Sequence, residues 1–326
     1  MSGSCLADDT TAMAVGKNTR NEERMKRNMR HLKKGMIFLL LAVMALGMSG
    51  CGGKKALKIA SKPMTEQYIL TEIIAQLIEE ETDYEVEITK GIGGGTTNIH
   101  PALLKGEFDL YPEYTRTAWL NVLKKEEMEK DDDKLYEQLL SDYDELGLTW
   151  TGLYGFSNTY GLAVREDTAK QYGLSTYSDL AAASGELIFG GNPDYIELET
   201  GYPRLCAAYN MQFQDTKQME IALKYEALIQ EEVDVINAFT TDAQLAAHDL
   251  VLLTDDGGFF ETFEAGTVVR KDTLEKYPQL QKTLEKLNGL ISEDEMQQMN
   301  YEVEVNGKED KEVARQFLIS KGLIKE

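Results

Sequence analysis

The chain has 326 residues, with 34 Lys and Arg against 56 Asp and Glu, for a net charge of −22 at pH 7. So acidic a chain is repelled by phosphate backbones and anionic lipid heads, which argues against DNA or RNA as a partner. Its length fits two lobes or one large domain behind a short leader.

The N-terminus reads as a targeting segment. Met36 to Met48 is an uncharged run of 13 residues behind the basic group Lys26, Arg27, Arg30, Lys33 and Lys34. A membrane span needs about 20 apolar residues, so the run suits the apolar part of a signal peptide. It ends in Met48-Ser49-Gly50-Cys51, which resembles the bacterial lipobox, where the cysteine is lipid-modified and becomes the mature N-terminus. The competing reading is an ordinary buried cysteine after an uncleaved anchor. Residues 1–24 carry no pattern and precede a second methionine, so translation from Met1 or from Met25 stays open. Residues 1–50 hold 8 Lys/Arg and 4 Asp/Glu, which leaves 34 − 8 = 26 basic and 56 − 4 = 52 acidic, a net −26 for residues 51–326. A lipid on Cys51 would hold such a chain to the membrane without a basic patch, although one acyl chain alone is marginal. With Cys51 acylated, Cys206 has no disulfide partner in the mature chain.

Leu57 to Ala60 reads as a strand. Thr65 is placed to cap a helix in which Ile69, Ile73, Ile74, Leu77 and Ile78 recur at helical spacing. Val86 to Ile88 is a second strand. The glycine run from Gly91 then leads into Thr96, Thr97 and Asn98, residue types that favour helix N-caps, and Gly106 ends that helix. Phe108 and Leu110 alternate as in a strand that delivers Tyr111 and Tyr114. Strand, helix, strand, helix, strand is an α/β pattern with a mainly parallel sheet, whose ligands sit beyond the carboxyl ends of the strands. An anion-ready helix start beside a tyrosine pair suits a small molecule carrying both charges; as a plainer reading, the tyrosines are core and surface aromatics. Residues 122–146 read as a charged helix, and Tyr154, Phe156 and Tyr160 bracket Asn158 and Thr159 in an extended stretch. The α/β pattern resumes with strands at 162–164 and 187–189, a helix ending near Tyr209, a helix over 218–230 and a strand over 233–239. Strands at 250–253 and 267–270 and helices near 275–287, 293–299 and 310–321 close the chain.

Catalysis finds little support. His31, His100 and His248 share no metal-ligand spacing with the cysteines, so no metal site is expected. There is no G-x-S-x-G, the glycine run lacks the lysine of a P-loop, and no dinucleotide fingerprint is in register, so no cofactor is implied. An enzyme is the weaker hypothesis.

Several segments in order carry a family resemblance: Ser61-Lys62-Pro63-Met64-Thr65-Glu66-Gln67, the Gly91–Trp119 stretch, Tyr154 to Tyr160, Gly201-Tyr202-Pro203, Thr240-Thr241-Asp242 and the closing V-V-R-K-D-T-L-E-K-Y-P-Q-L. Together they resemble the substrate-binding proteins of the glycine betaine/choline/carnitine ABC importers, the osmoprotectant family, over nearly all of residues 56–324. The resemblance implies a two-lobed type II periplasmic-binding-protein fold with the ligand cleft between lobes. The lobes would span about 54–155 plus 253–326, and 156–252. It further implies a permease and its ATPase as partners and an extracytoplasmic, lipid-anchored receptor. A ligand-sensing lipoprotein with the same pocket is the rival reading.

That family holds a quaternary ammonium group among aromatic rings. Such a cation has no N–H to donate, so ring faces read it, at about 0.5–2 kcal/mol per contact. By motif, the resemblance points to Tyr114, Tyr160 and Tyr202, less surely to Tyr111, and to Phe239 beside Thr240-Thr241-Asp242. Gln67, Thr96, Thr97, Asn98, Thr115, Asn158 and Asp242 are the polar candidates. Arg116 and Ala243 stand where the common pattern has glycine, and Arg204 follows Gly-Tyr-Pro. An arginine turned into the cleft would meet a carboxylate; a solvated surface role is the alternative. The Gly93-Gly94-Gly95-Thr96-Thr97-Asn98 variant and these two arginines resemble a branch of the family that binds ergothioneine, the betaine of a thiol-histidine.

Overall fold

The computed structural model describes residues 56–127, 129–197 and 201–325, so the apolar N-terminal run and Cys51 lie outside the described residues. The first sheet comprises β1 (Leu57–Ala60), β2 (Val86–Thr89), β3 (Leu110–Tyr114), β4 (Leu148–Ser157) and, from much later in the chain, β10 (Glu264–Arg270). Its order is β2-β1-β3-β10-β4. β1 runs parallel to β2 and β3, whereas β10 runs antiparallel to β3 and β4. The second sheet comprises β5 (Tyr160–Val164), β6 (Ile188–Gly191), β7 (Asp215–Gln218), β8 (Val235–Phe239) and β9 (Val251–Leu252), in the order β7-β6-β8-β5-β9. There β6 is parallel to β7 and β8, and β5 is antiparallel to β8 and β9. Each sheet thus repeats one plan, with a parallel trio continued by an antiparallel strand and an edge strand. The chain passes from the first sheet to the second at Asn158–Thr159 and returns over residues 253–263.

Helix α1 (Thr65–Glu81) buries Ile69, Leu70, Ile73, Ile74, Leu77 and Ile78 in the core of the first half, together with β1 and β10 residues. Full burial of each such side chain is worth about 1.5–3 kcal/mol. Met64, not Thr65, occupies the N-cap, and no side chain caps it. Helix α2 (Thr96–Leu104) follows Gly94 and Gly95, both at positive φ. Gly94 stands at φ +77°, a conformation that L side chains rarely adopt, and a Cβ there would also meet Asn98 Nδ2 at 2.5 Å, so the turn favours glycine.

Two expected elements differ. The charged helix expected over 122–146 is confined to α3 (Asp132–Glu145), because Asp131 caps it by accepting from Lys134 N at 3.2 Å. Ahead of it Thr115–Thr117 forms one helical turn that widens into a π-helical turn over Ala118–Val122. Gln218, expected to open the helix over 218–230, instead ends edge strand β7 (Asp215–Gln218), and the helix spans Ile221–Ile229. The side chains of β7 are all at least partly exposed, so no apolar alternation marked it. Helix α4 (Tyr202–Tyr209) lies on the second half, and α5 (Ala243–Ala247) follows β8.

Helix α6 (Glu293–Glu304), which packs with the first half, also grips the second. Gln297 Nε2 donates to Thr240 O at 2.7 Å and Asn300 Nδ2 to Thr241 O at 2.9 Å. Helix α7 (Asp310–Ser320) covers α1. Among the described residues, no helix is long and apolar enough to cross a membrane.

Candidate functional site

The carboxyl ends of β1, β3 and β8 and the start of antiparallel β5 open on one cleft of about 360 Å³. Its aromatic lining is Tyr114 from the end of β3, Tyr160 from the start of β5, Phe239 from the end of β8, and Phe263 from the return crossing. Tyr160 and Phe239 are directly opposed in the β5–β8 register, and their rings stack at 4.5 Å with 27° between planes. Opposed strand residues project to the same face, which makes this pair a consequence of register. Both residues remain about two-fifths exposed, at 40% and 39%, although they stand at the ends of two interior strands whose other residues are buried. Tyr195 and Phe260 support Tyr160 at 5.6 and 6.0 Å.

The polar lining starts with Lys62, just beyond β1. Its ammonium pairs with the fully buried Glu113 and lies 4.5 Å from the centre of the Tyr114 ring. Glu113 also accepts from Thr96 Oγ1 at 2.7 Å and from Tyr114 N at 2.8 Å. A buried carboxylate with three donors is well satisfied, and it fixes Lys62, Thr96 and Tyr114 relative to one another. The Tyr114 hydroxyl donates to Glu66, which also accepts from Asn158 Nδ2 at 3.2 Å. Burial pushes the Glu66 carboxyl above its usual range, against the smaller pull of Tyr114, Thr241, Asn158 and Asn300 around it. Burial and the neighbouring Glu66 push the Tyr114 hydroxyl well up as well.

The residues singled out in the sequence fall into three groups. Tyr114, Tyr160, Phe239, Thr96, Thr97 and Asn158 line this cleft together. Gln67 and Asp242 stand behind it. Gln67 is fully buried, and Asp242 accepts from the Tyr225 hydroxyl and from Phe239 N, which steadies the end of β8. The others are placed elsewhere. Tyr111 is buried on the opposite face of β3, with His100 Nδ1 at 3.2 Å from its hydroxyl. Thr115 is buried in the turn after β3. Arg116 is buried, and its guanidinium donates to Thr262 O at 2.8 Å, Glu129 O at 2.8 Å and Asp132 Oδ1 at 2.6 Å. Tyr202 packs on Phe189 and Phe213 at 4.7 and 6.0 Å and shares a 2.8 Å hydrogen bond with Thr216 Oγ1. Arg204 is exposed over the Phe259 ring at 5.5 Å. Asn98 donates to Gly93 O at 2.6 Å and shapes the glycine turn.

The helix start at Thr96 is also less open to an anion than expected. The N–H groups of Thr97, Asn98 and Ile99 fold back on the carbonyls of Gly94 and Gly95. Lys62 and the Thr97 side chain are among the side-chain donors that line the cleft there.

Lys62, Met64, Asn121 and Phe263 line the cleft without having been singled out, and Glu66 and Glu113 hold it from below. Lys62 was findable, since it follows β1 as directly as Tyr114 ends β3. Asn121 carried no signal, because its position depends on the π-helical turn, a feature frequent at functional sites. Among the described residues, no group of three His, Cys, Asp or Glu is placed to hold a metal ion.

Residues 55–320 match the family described as the substrate binding domain of ABC-type glycine betaine transport systems. The chain is 44% identical over 271 residues to the ergothioneine transport permease/ergothioneine binding protein EgtU of Helicobacter pylori; the match covers 83% of this chain but 48% of that protein, so the chain spans about half its length. It is 36% identical over 300 residues to the carnitine transport binding protein OpuCC of Listeria monocytogenes, covering 88% of this chain and 97% of that one. In fold it is similar to a crystal structure of a glycine betaine/carnitine/choline ABC transporter protein, with a TM-score of 0.77 at 33% identity over 82% of this chain and all of that one. Apo YehZ of Escherichia coli gives 0.75 at 27% identity over 82% of this chain and 99% of that one. The two sheets, the crossings between them and these likenesses agree on a type II periplasmic-binding-protein fold. The chain belongs to the family of substrate-binding domains of ABC-type glycine betaine transport systems.

Proposed function

We propose that this protein is the extracytoplasmic substrate-binding component of an ABC importer and that its ligand is a quaternary-ammonium zwitterion. The observation that carries the reading is the convergence of Tyr114, Tyr160, Phe239 and Phe263 on one cleft with Lys62 at its side. Ring faces stabilise a cation that cannot donate hydrogen bonds, at about 0.5–2 kcal/mol each. Lys62 and Thr97 supply the partners for the carboxylate. Glycine betaine, carnitine and ergothioneine all fit this description, and the 44% identity to an ergothioneine-binding relative favours the last. A permease and its ATPase are the partners of such a receptor, and acylation at Cys51 would keep it at the membrane. Calorimetry against glycine betaine, carnitine, choline and ergothioneine tests the ligand class, with a dissociation constant of about 1 μM or tighter, near −8.2 kcal/mol, expected for at least one zwitterion. Absence of binding to every quaternary amine would end the reading. Expressed in bacterial cells, Cys51→Ala should free the protein from the membrane fraction or leave the precursor uncleaved, and unchanged attachment with normal processing would remove the anchor from the proposal.

A further inference from the structure

The cleft draws on both sheets, since Tyr114 ends β3 whereas Tyr160 and Phe239 belong to β5 and β8, so the convergence of the rings depends on the angle between the sheets. Between the end of β4 at Ser157 and the start of β5 at Tyr160 stand two residues, Asn158 and Thr159. One hydroxyl spans them. Thr240 Oγ1 donates to Ser157 O at 2.6 Å and accepts from Thr159 N at 3.1 Å, so its two partners lie on either side of Asn158. The backbone of Thr240 is engaged as well: its N–H donates to Thr159 O at 2.9 Å, and its carbonyl accepts from Gln297 Nε2 of α6 at 2.7 Å. The return crossing is tied to the same place. Thr159 Oγ1 donates to Glu261 O at 2.6 Å, and Phe263 N donates to Ser157 Oγ at 2.8 Å. Thr240 directly follows Phe239 and is not itself among the residues that line the cleft.

We infer that Thr240 is a positioning residue of the receptor, whose hydroxyl clips the crossing at the angle that brings the rings of both halves together. Rotation of one half against the other must change the dihedrals of the few residues between the sheets. Turning Asn158 moves Ser157 O and Thr159 N relative to each other, and one hydroxyl meets both only over a narrow range of angles, given the reach and direction of a hydrogen bond. The clip therefore favours one arrangement of the halves without touching the ligand. When a binding-competent arrangement is less populated, every ligand is weakened by the same factor. The inference rests on the proposed receptor function, and it concerns how the site is held together rather than which quaternary amine fills it.

Thr240→Val removes the hydroxyl at nearly constant shape, Thr240→Ser keeps it, and Gln297→Met loosens the same residue from α6. Small-angle scattering of the unliganded proteins should give Thr240→Val a larger radius of gyration than wild type, with Thr240→Ser at the wild-type value. In stopped-flow titrations with glycine betaine, carnitine and ergothioneine, Thr240→Val should lose about threefold or more in affinity for each ligand that wild type binds, as expected for one lost hydrogen bond. The factor should be common to the ligands within about twofold and lie mainly in faster dissociation. Gln297→Met should follow the same pattern, and Thr240→Ser should stay within about twofold of wild type. A merely structural threonine would lower the melting temperature while leaving the scattering and the rates of the folded protein unchanged, and that result would overturn the assignment. So would a loss confined to one ligand, or a Thr240→Ser as impaired as Thr240→Val. If no quaternary amine binds wild type, the ligand class falls, and the scattering comparison still decides on the clip.

Discussion

Tyr160, Tyr202 and Arg116 sit in similar glycine- and proline-punctuated sequence, yet their surroundings give them different work. Tyr160 projects from a strand start into the cleft, stacked on Phe239. Tyr202 is half-buried against Phe189 and Phe213, and Arg116 is spent on two carbonyls and Asp132. Tyr160→Ala should therefore weaken zwitterion binding by about 1–2 kcal/mol, while Tyr160→Phe keeps most of the affinity because the ring face remains. Tyr202→Ala should instead lower stability by about 1–3 kcal/mol, since it opens a gap among rings. Arg116→Lys should do likewise, because an ammonium cannot reproduce the fork that reaches three acceptors. Calorimetry and thermal melting on the same samples separate these effects. If folded Tyr202→Ala lost as much affinity as Tyr160→Ala, the distinction drawn here would be wrong.

At the level of elements, β3 shows how far the sequence could be read. Side chains alternate along a strand, so Tyr111 and Tyr114, three apart, must face opposite ways. Tyr114 joins the core that contains α1, and Tyr111 joins the one that contains Trp119 and Tyr143. Period and residue type made β1, α1, β2, α2 and β3 legible, and with them one half of the cage. The π-helical turn after β3 and the polar edge strand β7 were not legible, because neither has an apolar period. Phe263 was hidden for another reason, since a residue on a return crossing is placed by tertiary connection alone. The first turn of α1 supports a prediction of its own. Glu66 is buried there, and burial raises its carboxyl above the ordinary range. The folded protein then binds a proton that the unfolded chain has already lost, so this group's contribution to stability falls as pH rises through the folded value. Glu66→Gln removes that titration but still offers an oxygen to the Tyr114 hydroxyl. The melting temperature of the variant minus that of wild type should increase from about pH 4.5, near the ordinary glutamate value, upward. A difference that is flat or shrinks with pH would contradict this.

The whole molecule sets a long-range field against a local one. Residues 51–326 carry 26 basic against 52 acidic groups, a net −26, yet the cleft wall holds Lys62. The distant negative charge attracts a cation such as choline and exerts little net pull on a zwitterion. Lys62 acts locally instead: paired with Glu113, it carries little net field, but its ammonium keeps N–H donors that a ligand carboxylate can use and choline cannot. Salt separates the two, because the screening length shrinks from about 30 Å at 0.01 M to about 10 Å at 0.1 M, while a partly buried contact is screened much less. Choline affinity should thus fall with added salt more steeply than that of any zwitterion. Near 0.15 M the zwitterions should bind at least tenfold more tightly than choline, a gap of about 1.4 kcal/mol. Lys62→Met should narrow that gap at every salt concentration, and it leaves Glu113 with Thr96 Oγ1 and Tyr114 N as donors. Melting curves confirm that the variant is folded, and titrations at three salt concentrations read the gap. A choline deficit that is unaffected by Lys62→Met would move the carboxylate partner away from Lys62, and a salt-independent choline affinity would remove the long-range field from the account.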